Sequence, residues 1–284
     1  MDTMSPSSGE ISHVSDTALL VAACRALESE GADAFIHDPF AERLAGERGK
    51  AILREFPRAV MLRFGIGVRT RFLDDLLQKA LVSAPVATVL SLGCGLDTRP
   101  WRLDLPPDLR WIEVDFADML DYKEALLADE TPRCRRERLT ADLNDPAARK
   151  TIYDAVQNAP ALMITEGLLM YLPGSTVEAL AAEVGQENAI GQWMLDITSS
   201  QFTKAVGMDS VQSLRDVQAA DCLSGEKILE ATTRHGWVTA ARRSYLTDMD
   251  FAMDRVRRMI GAGPGPASPP PPSDPSGVYR LSKV

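Results

Sequence analysis

Two glycines and a later aspartate have the spacing of a site that binds a nucleoside-bearing cofactor. Gly93 and Gly95 directly follow a mostly apolar run at 88–92 and are separated by one residue. A turn of this kind leaves the backbone bare, so a cofactor can lie against it. Asp115 comes about twenty residues later, where an acidic side chain binds ribose hydroxyls in nucleotide-binding folds. Either feature alone fits a structural turn or a helix cap, and together they indicate a cofactor site.

The residues after the second glycine distinguish two classes of cofactor. A dinucleotide places its pyrophosphate at a glycine-rich helix N-terminus, but this turn continues with Leu96 and Asp97 and has no third glycine. S-adenosylmethionine has no phosphate; it carries an ammonium, a carboxylate and a sulfonium, which mixed acidic and basic neighbours suit. The turn therefore favours S-adenosylmethionine. An NAD-dependent oxidoreductase and a non-catalytic module that keeps the cofactor site are the alternatives.

Alternating strands and helices must position these residues. Strands are predicted at 88–92, 110–114, 137–141, 161–165, 192–197 and 237–245. Helices are predicted at 119–128, 147–157, 175–184 and 225–235. This alternation predicts an α/β fold with a parallel sheet covered by helices on both faces, and ligands bind at the carboxyl ends of such strands. The last residues, 278–284, alternate like a strand, and we expect them to return to the edge of the sheet.

A helical layer precedes the predicted sheet. Helices are predicted over 16–27, 40–44 and 59–82, and Pro85 ends this layer. The chain therefore divides into an N-terminal tail and helical cap at 1–85 and a catalytic domain at 86–284. Within that domain, the polar segment 199–225 is a predicted lid, and 261–277 is a Pro-rich connection.

Seven motifs follow one another between residues 16 and 172. They are Asp16-Thr17-Ala18 with Arg25-Ala26-Leu27-Glu28, Asp38-Pro39-Phe40-Ala41, Arg69-Thr70-Arg71-Phe72-Leu73-Asp74-Asp75, Gly93-Cys94-Gly95-Leu96-Asp97-Thr98-Arg99, Glu113-Val114-Asp115, Ala141-Asp142-Leu143 and Thr165-Glu166-Gly167-Leu168-Leu169-Met170-Tyr171-Leu172. In these motifs the sequence resembles the leucine carboxyl methyltransferase family, in its bacterial branch of S-adenosylmethionine-dependent methyltransferases. The resemblance implies a class I methyltransferase, with a Rossmann-like, seven-stranded, mostly parallel sheet, an N-terminal helical cap and a lid insertion.

The resemblance also implies which residues bind the adenosine part of the cofactor. Asp115 would bind the ribose hydroxyls. Asp142 and Leu143 would bracket the adenine, with Asp142 accepting a hydrogen bond from its amino group. The glycine turn and the residue after Asp115 complete this predicted set, as Gly93, Cys94, Gly95 and Phe116.

At the methionine part, the resemblance implies that Arg69 holds the carboxylate through a charge-assisted contact. Arg25 matches a basic position near the same group, and Glu166 would lie beside the methionine. Two further residues, Tyr171 and Arg71, are predicted to be catalytic. Tyr171 fits core packing equally well, and the arginines at 69 and 71 also have the spacing to pair with Asp74 and Asp75 along a helix face.

The acceptor is predicted from the chemistry of methyl transfer, which mainly requires alignment of nucleophile, methyl and sulfur. A carboxylate, with a pKa of about 4, is already ionised, whereas a phenol, with a pKa of about 10, benefits from a base. The motifs contain no obvious base, but they do contain basic residues near the site, at Arg69, Arg71, Arg99 and Arg102. This favours a methyl ester on a carboxylate of a small metabolite or peptide. A phenol or other hydroxyl is the alternative, and His13 is the one base that would support it.

Composition limits the remaining functions. The net charge of −9, from 31 basic and 40 acidic residues, argues against a nucleic-acid partner. The 4 cysteines form no CxxC pair and the 3 histidines have no metal-ligand spacing, so no metal site is predicted. We expect no signal peptide and no membrane span, and a cytoplasmic protein.

Overall fold

The predicted strands form one sheet, in a computed structural model that describes residues 11, 13–208, 211–252, 255, 258 and 274–283. The strands within those residues are β1 (Thr88–Leu92), β2 (Arg110–Asp115), β3 (Arg135–Thr140), β4 (Ala161–Thr165), β5 (Ile190–Ile197), β6 (Trp237–Ser244) and β7 (Gly277–Lys283). Their order is β3-β2-β1-β4-β5-β7-β6, with β7 antiparallel to both neighbours and the other pairs parallel. The predicted seven-stranded, mostly parallel sheet is confirmed.

The position of the last strand differs from our expectation. We expected the terminal residues at an edge, but β7 pairs with β5 on one side and with β6 on the other. Val278, Tyr279 and Leu281 are buried, whereas most of β6 is at least partly exposed. A strand this apolar is better covered between two neighbours, so the more polar β6 forms the edge.

Helices cover both faces of the sheet and form the cap. They are α1 (Val14–Ser29), α2 (Ala41–Glu55), α3 (Ala59–Ser83), α4 (Arg99–Arg102), α5 (Ala117–Leu126), α6 (Pro146–Val156), α7 (Gly174–Gln186), α8 (Ser200–Ala205), α9 (Gln212–Asp216) and α10 (Gly225–Arg234). Successive residues of β1 enter different cores: Val89 belongs to the same core as Phe72 of α3, and Leu90 belongs to the same core as Val177 of α7. Because side chains alternate along a strand, the fully buried β1 can contribute to both cores.

The second helix of the cap ends close to the predicted 40–44, and a further helical segment that was not predicted follows it. The two segments of α2 meet at a kink, where Gly46 has a non-helical φ of +55°, and the second segment runs through Gly49 to Glu55. A Cβ at Gly49 would lie 2.6 Å from the carbonyl oxygen of Leu19 in α1, so the glycine lets the two helices meet closely. The two glycines interrupt the apolar pattern, which is why the sequence predicted only the segment before the kink.

Of three predicted segments, the structure describes most of the lid, only the end of the Pro-rich connection, and nothing of the tail. The tail at 1–10 and residues 261–273 of the Pro-rich connection lie outside the described residues. The predicted lid contains two short helices, α8 and α9, and Val211 between them is buried in the core of the cap. The division at residue 85 and the action of 199–225 as a lid stay predictions. Among the described helices, none is long and apolar enough to cross a bilayer.

Candidate functional site

A cavity opens at the carboxyl ends of β1, β2 and β4 and is closed on one side by α1 and α3. Every residue predicted to bind the cofactor lines it, and so does Tyr171. We name two of its walls by their residues. The acidic wall consists of Asp115, Phe116, Asp142 and Leu143, and the ion-pair wall consists of Arg69, Asp97, Arg99 and Glu166.

The glycine turn between β1 and α4 joins the two walls. Gly93 and Gly95 have φ angles of +57° and +45°, in the left-handed region that favours glycine. A Cβ at Gly93 would lie 2.6 Å from Cδ1 of Leu168, so a side chain there would require Leu168 to move. The N–H of Gly95 donates to Oδ2 of Asp115 at 2.7 Å, so the end of β2 holds the turn.

The carboxylates of the acidic wall are bound by their own local backbone. Oδ1 of Asp115 also accepts from the N–H of Phe116 at 2.8 Å, and burial raises the pKa of the Asp115 carboxyl. Oδ1 of Asp142 accepts from the backbone N–H of Asn144 at 2.9 Å and from its side-chain amide at 3.1 Å. Phe116 is 47% exposed at the rim, which leaves its ring open for contact with a ligand.

In the ion-pair wall, Glu166 lies between two arginines. Arg69 Nε donates to its Oε1 at 3.0 Å, and Arg99 Nη1 donates to its Oε2 at 2.7 Å. Burial alone would raise the pKa of the Glu166 carboxyl, but Arg99 and Arg69 hold that pKa below its usual value. The same balance acts on Asp97: burial opposes ionisation, yet Arg99 and Arg102 lower its pKa to about 2. Both carboxylates are therefore ionised at neutral pH.

Asp196 at the end of β5 fixes Arg69 and is a residue that the sequence analysis missed. Its Oδ1 accepts from the N–H of Gly167 at 2.6 Å, and its Oδ2 lies 3.5 Å from Arg69 Nη1. Gly167 has a φ of +60°, and a Cβ there would lie 3.0 Å from Arg69 Nη1. The guanidinium therefore lies across bare backbone. An acidic residue at a strand end was the available signal, as it was for Asp115.

The basic residues near the site are not free charges. Arg99 Nε donates to Asp74 at 2.6 Å, and Arg102 contacts both oxygens of Asp74, at 2.6 and 3.0 Å. The predicted catalytic Arg71 does not line the cavity: its half-exposed guanidinium donates to Asp75 at 3.0 Å and to the carbonyl of Phe35 at 3.2 Å. That is the helix-face pairing weighed above, so the structure does not support a direct role for Arg71.

A buried lysine of α5 binds the glycine turn. Lys123 Nζ donates to Glu113 Oε1 at 2.7 Å and to the carbonyl of Asp97 at 3.1 Å, and lies 3.7 Å from Cys94 Sγ. Burial raises the pKa of the Cys94 thiol well above its usual value, so the thiol stays protonated. A lysine within a helix looks like a surface residue in the sequence, and no local signal identified this one.

The remaining candidates for acid–base chemistry are Tyr171 and His13. Burial raises the pKa of the Tyr171 hydroxyl, against the opposing effects of Arg69 and of a hydrogen bond with Thr17. His13 caps α1: its Nδ1 accepts from the N–H of Ser15 at 3.3 Å, and the residue does not line the cavity. Among the described residues, no group of three or more His, Cys, Asp or Glu is placed to hold a metal ion.

Comparison with known proteins gives one consistent family. Residues 18–185 match the family model described as leucine carboxyl methyltransferase. A Streptomyces avermitilis protein is 38% identical over 211 residues, covering 68% of this chain and 72% of that protein. A Parafrankia relative is 33% identical over 269 residues, covering 88% and 83%. Both carry the provisional name of S-adenosyl-L-methionine-dependent methyltransferase.

Solved structures share the fold. A DUF574 family protein from Streptomyces avermitilis superposes with a TM-score of 0.57 at 16% identity, covering 93% of this chain and 97% of its own. A provisionally named methyltransferase from Thermobifida fusca gives a TM-score of 0.54 at 17% identity, with coverage of 94% and 93%. The architecture thus extends over almost the whole of each of these proteins.

Proposed function

The chain belongs to the leucine carboxyl methyltransferase family, and we propose that it transfers a methyl group from S-adenosyl-L-methionine to an oxygen of an acceptor carboxylate. The cofactor is S-adenosyl-L-methionine, which supplies a methyl group activated on a sulfonium when bound. The glycine turn left an NAD-dependent oxidoreductase open as an alternative, and the family that the chain matches is a different one.

The donor set of the cavity fits this cofactor. The ion-pair wall presents guanidinium and carboxylate groups side by side, which suits an amino acid that carries both an ammonium and a carboxylate. We assign Arg69 to the carboxylate and Glu166 to the ammonium. On the acidic wall, Asp115 keeps unused lone pairs that can accept from ribose hydroxyls, and Asp142 lies where an adenine amino group can donate.

One observation carries the carboxylate acceptor: the ion-pair wall offers no base with a pKa near neutrality. Both oxygens of Glu166 and of Asp97 accept hydrogen bonds, and both carboxyls have lowered pKa values. Such groups take up a proton poorly. A carboxylate acceptor needs no base, since its own pKa is about 4. We assign Tyr171, which its raised pKa keeps protonated, as a hydrogen-bond donor to the acceptor oxygen.

A different observation favours a hydroxyl acceptor. Arg25, Arg69, Arg99 and Arg102 line the cavity, and each of them already pairs with a carboxylate of the protein. The described part of the cavity therefore has no unpaired guanidinium to attract an acceptor carboxylate. This second candidate predicts transfer to a phenol or an alcohol.

The stability of the product to alkali separates the two. The purified full chain is incubated with methyl-labelled cofactor and a panel of carboxylic acids and phenols. A methyl ester releases labelled methanol in alkali, whereas a methyl ether keeps its label. We expect alkali-labile product and a kcat/KM that is flat from about pH 6 to about pH 9, because the acceptor stays ionised there. Alkali-stable label on phenols, with a rate that rises with pH, would establish the hydroxyl acceptor instead.

A further inference from the structure

Asp38 is a fully buried carboxylate that binds the glycine turn from the cap. Its Oδ2 accepts from Thr98 Oγ1 at 2.7 Å and from Arg25 Nε at 2.8 Å, and its Oδ1 accepts from the N–H of Phe40 at 3.1 Å. Asp38 and Thr98 do not line the cavity. The proposed reaction assigns no role to the motif Asp38-Pro39-Phe40-Ala41.

Arg25 extends this contact to a second point of the turn. While its Nε donates to Asp38, its Nη2 donates to the carbonyl of Leu96 at 2.6 Å. One guanidinium from α1 and one carboxylate from the loop after it thus hold the turn at residues 96 and 98. Hydrogen bonds between charged, buried groups are among the strong ones.

The turn needs such support because of its composition. Gly93 and Gly95 give it backbone freedom, which is lost when a single shape is required. The first half is held by the bond between Asp115 and the N–H of Gly95, and the second half by the contacts of Asp38 and Arg25. A shift in the second half would move Gly95 away from Asp115.

We propose that Asp38 and Arg25 are positioning residues, which hold the glycine turn in the shape that binds the cofactor. This inference rests on the proposed function. It assigns Arg25 to the turn, where the family resemblance had placed it beside the methionine carboxylate. Cofactor affinity then depends on a carboxylate of the cap that touches no ligand.

The test compares two probes and removes one hydroxyl. Calorimetry with the full chain gives the Kd of S-adenosylhomocysteine and of 5′-methylthioadenosine, the same nucleoside thioether without the amino acid part. We expect Thr98→Val to weaken both probes by a similar factor of about tenfold, as outer-shell contacts do. Thr98→Ser keeps the hydroxyl and should bind both probes as the wild type does. Asp38→Asn should weaken both, and its effect should not add to that of Thr98→Val.

Glu28→Gln is the matched control, because Glu28 is a fully buried carboxylate like Asp38 and lies in α1 with Arg25. Its ion pairs are with Arg63 and Arg255, away from the turn. It should melt at a lower temperature with both Kd values unchanged. Wild-type affinity in Thr98→Val would overturn the proposal, as would an Arg25→Lys variant that loses affinity for S-adenosylhomocysteine alone. A wild type that binds neither probe would instead refute the proposed function itself.

Discussion

The two walls of the cavity neutralise their carboxylates in different ways. On the acidic wall, Asp115 and Asp142 accept from N–H groups within a few residues of themselves or from the adjoining turn. On the ion-pair wall, Glu166 is held by Arg69 and Arg99, which lie far away in the sequence. Burial raises the pKa of Asp115, whereas guanidinium groups lower the pKa of Glu166 despite its burial. The ionised form of Asp115 therefore costs folded stability, whereas the ionised form of Glu166 contributes to that stability.

The largest effect should come from removing the charge at the centre of the ion-pair wall. Glu166→Gln leaves two buried guanidinium groups short of a partner, and we expect the free energy of unfolding to fall by about 3 kcal/mol. Methyl transfer should fall by about 100-fold, because Arg69 loses its orientation. Denaturant unfolding and labelled transfer measure both. Glu183→Gln, which breaks a more exposed pair with Arg149, is the control and should cost less than about 1 kcal/mol. Equal losses in the two variants would contradict the comparison.

Acid should reduce the contribution of the ion-pair wall to the free energy of unfolding. The folded pKa of Asp97 is about 2, lowered from 3.8, so its stabilising contribution is complete above the higher value. That contribution, about 2 kcal/mol, is lost as the pH falls from about 4 towards about 2. The free energy of unfolding as a function of pH measures it. Asp97→Asn should show a shallower dependence in this window, and an unchanged slope would contradict the assignment.

In the turn between the walls, an added methyl group should destabilise the protein more at Gly93 than at Gly95. Gly93→Ala combines a left-handed φ with the close approach of Leu168, and we expect a loss of about 2 kcal/mol. Gly95→Ala meets only the Cβ of Ala18 at 3.4 Å, so strain alone should cost about 1 kcal/mol. Thermal unfolding measures the difference. Leu168→Ala should recover part of the loss in the first variant only, and recovery in neither would exclude the steric cause.

The smallest effect on stability, with the opposite sign, is expected at the acidic wall. Burial raises the folded pKa of Asp115, so its ionised form reduces stability at neutral pH. Asp115→Asn keeps an acceptor for the N–H of Gly95 and removes the charge. Its melting temperature should rise slightly while its affinity for S-adenosylhomocysteine falls. Asp115→Ala, which leaves that N–H without its acceptor, should melt lower than the wild type; a lower melting temperature for Asp115→Asn as well would refute the contrast between the walls.

Much of the acidic wall and of the sheet could be predicted because their signals are local. Apolar runs that end in a glycine or an acidic residue placed Gly93, Gly95, Asp115 and Glu166 at strand ends, and the structure brings them to one cavity. The second segment of α2 was not predicted, and the predicted position of β7 was wrong. Both depend on what packs alongside: a glycine against α1 in the first case, and two neighbouring strands in the second.

The sequence by itself determined which residue types stand at the strand ends, and hence the fold and the kind of cofactor. Only the tertiary structure decided how the charges pair. Arg71 and Arg99 look alike in the sequence, yet one faces Asp75 on its own helix and the other joins Glu166 across 67 residues. Asp38, Lys123 and Asp196 resemble surface residues until the chain is folded. Pairing of buried charges depends on strand order and on helix packing, which no local pattern records.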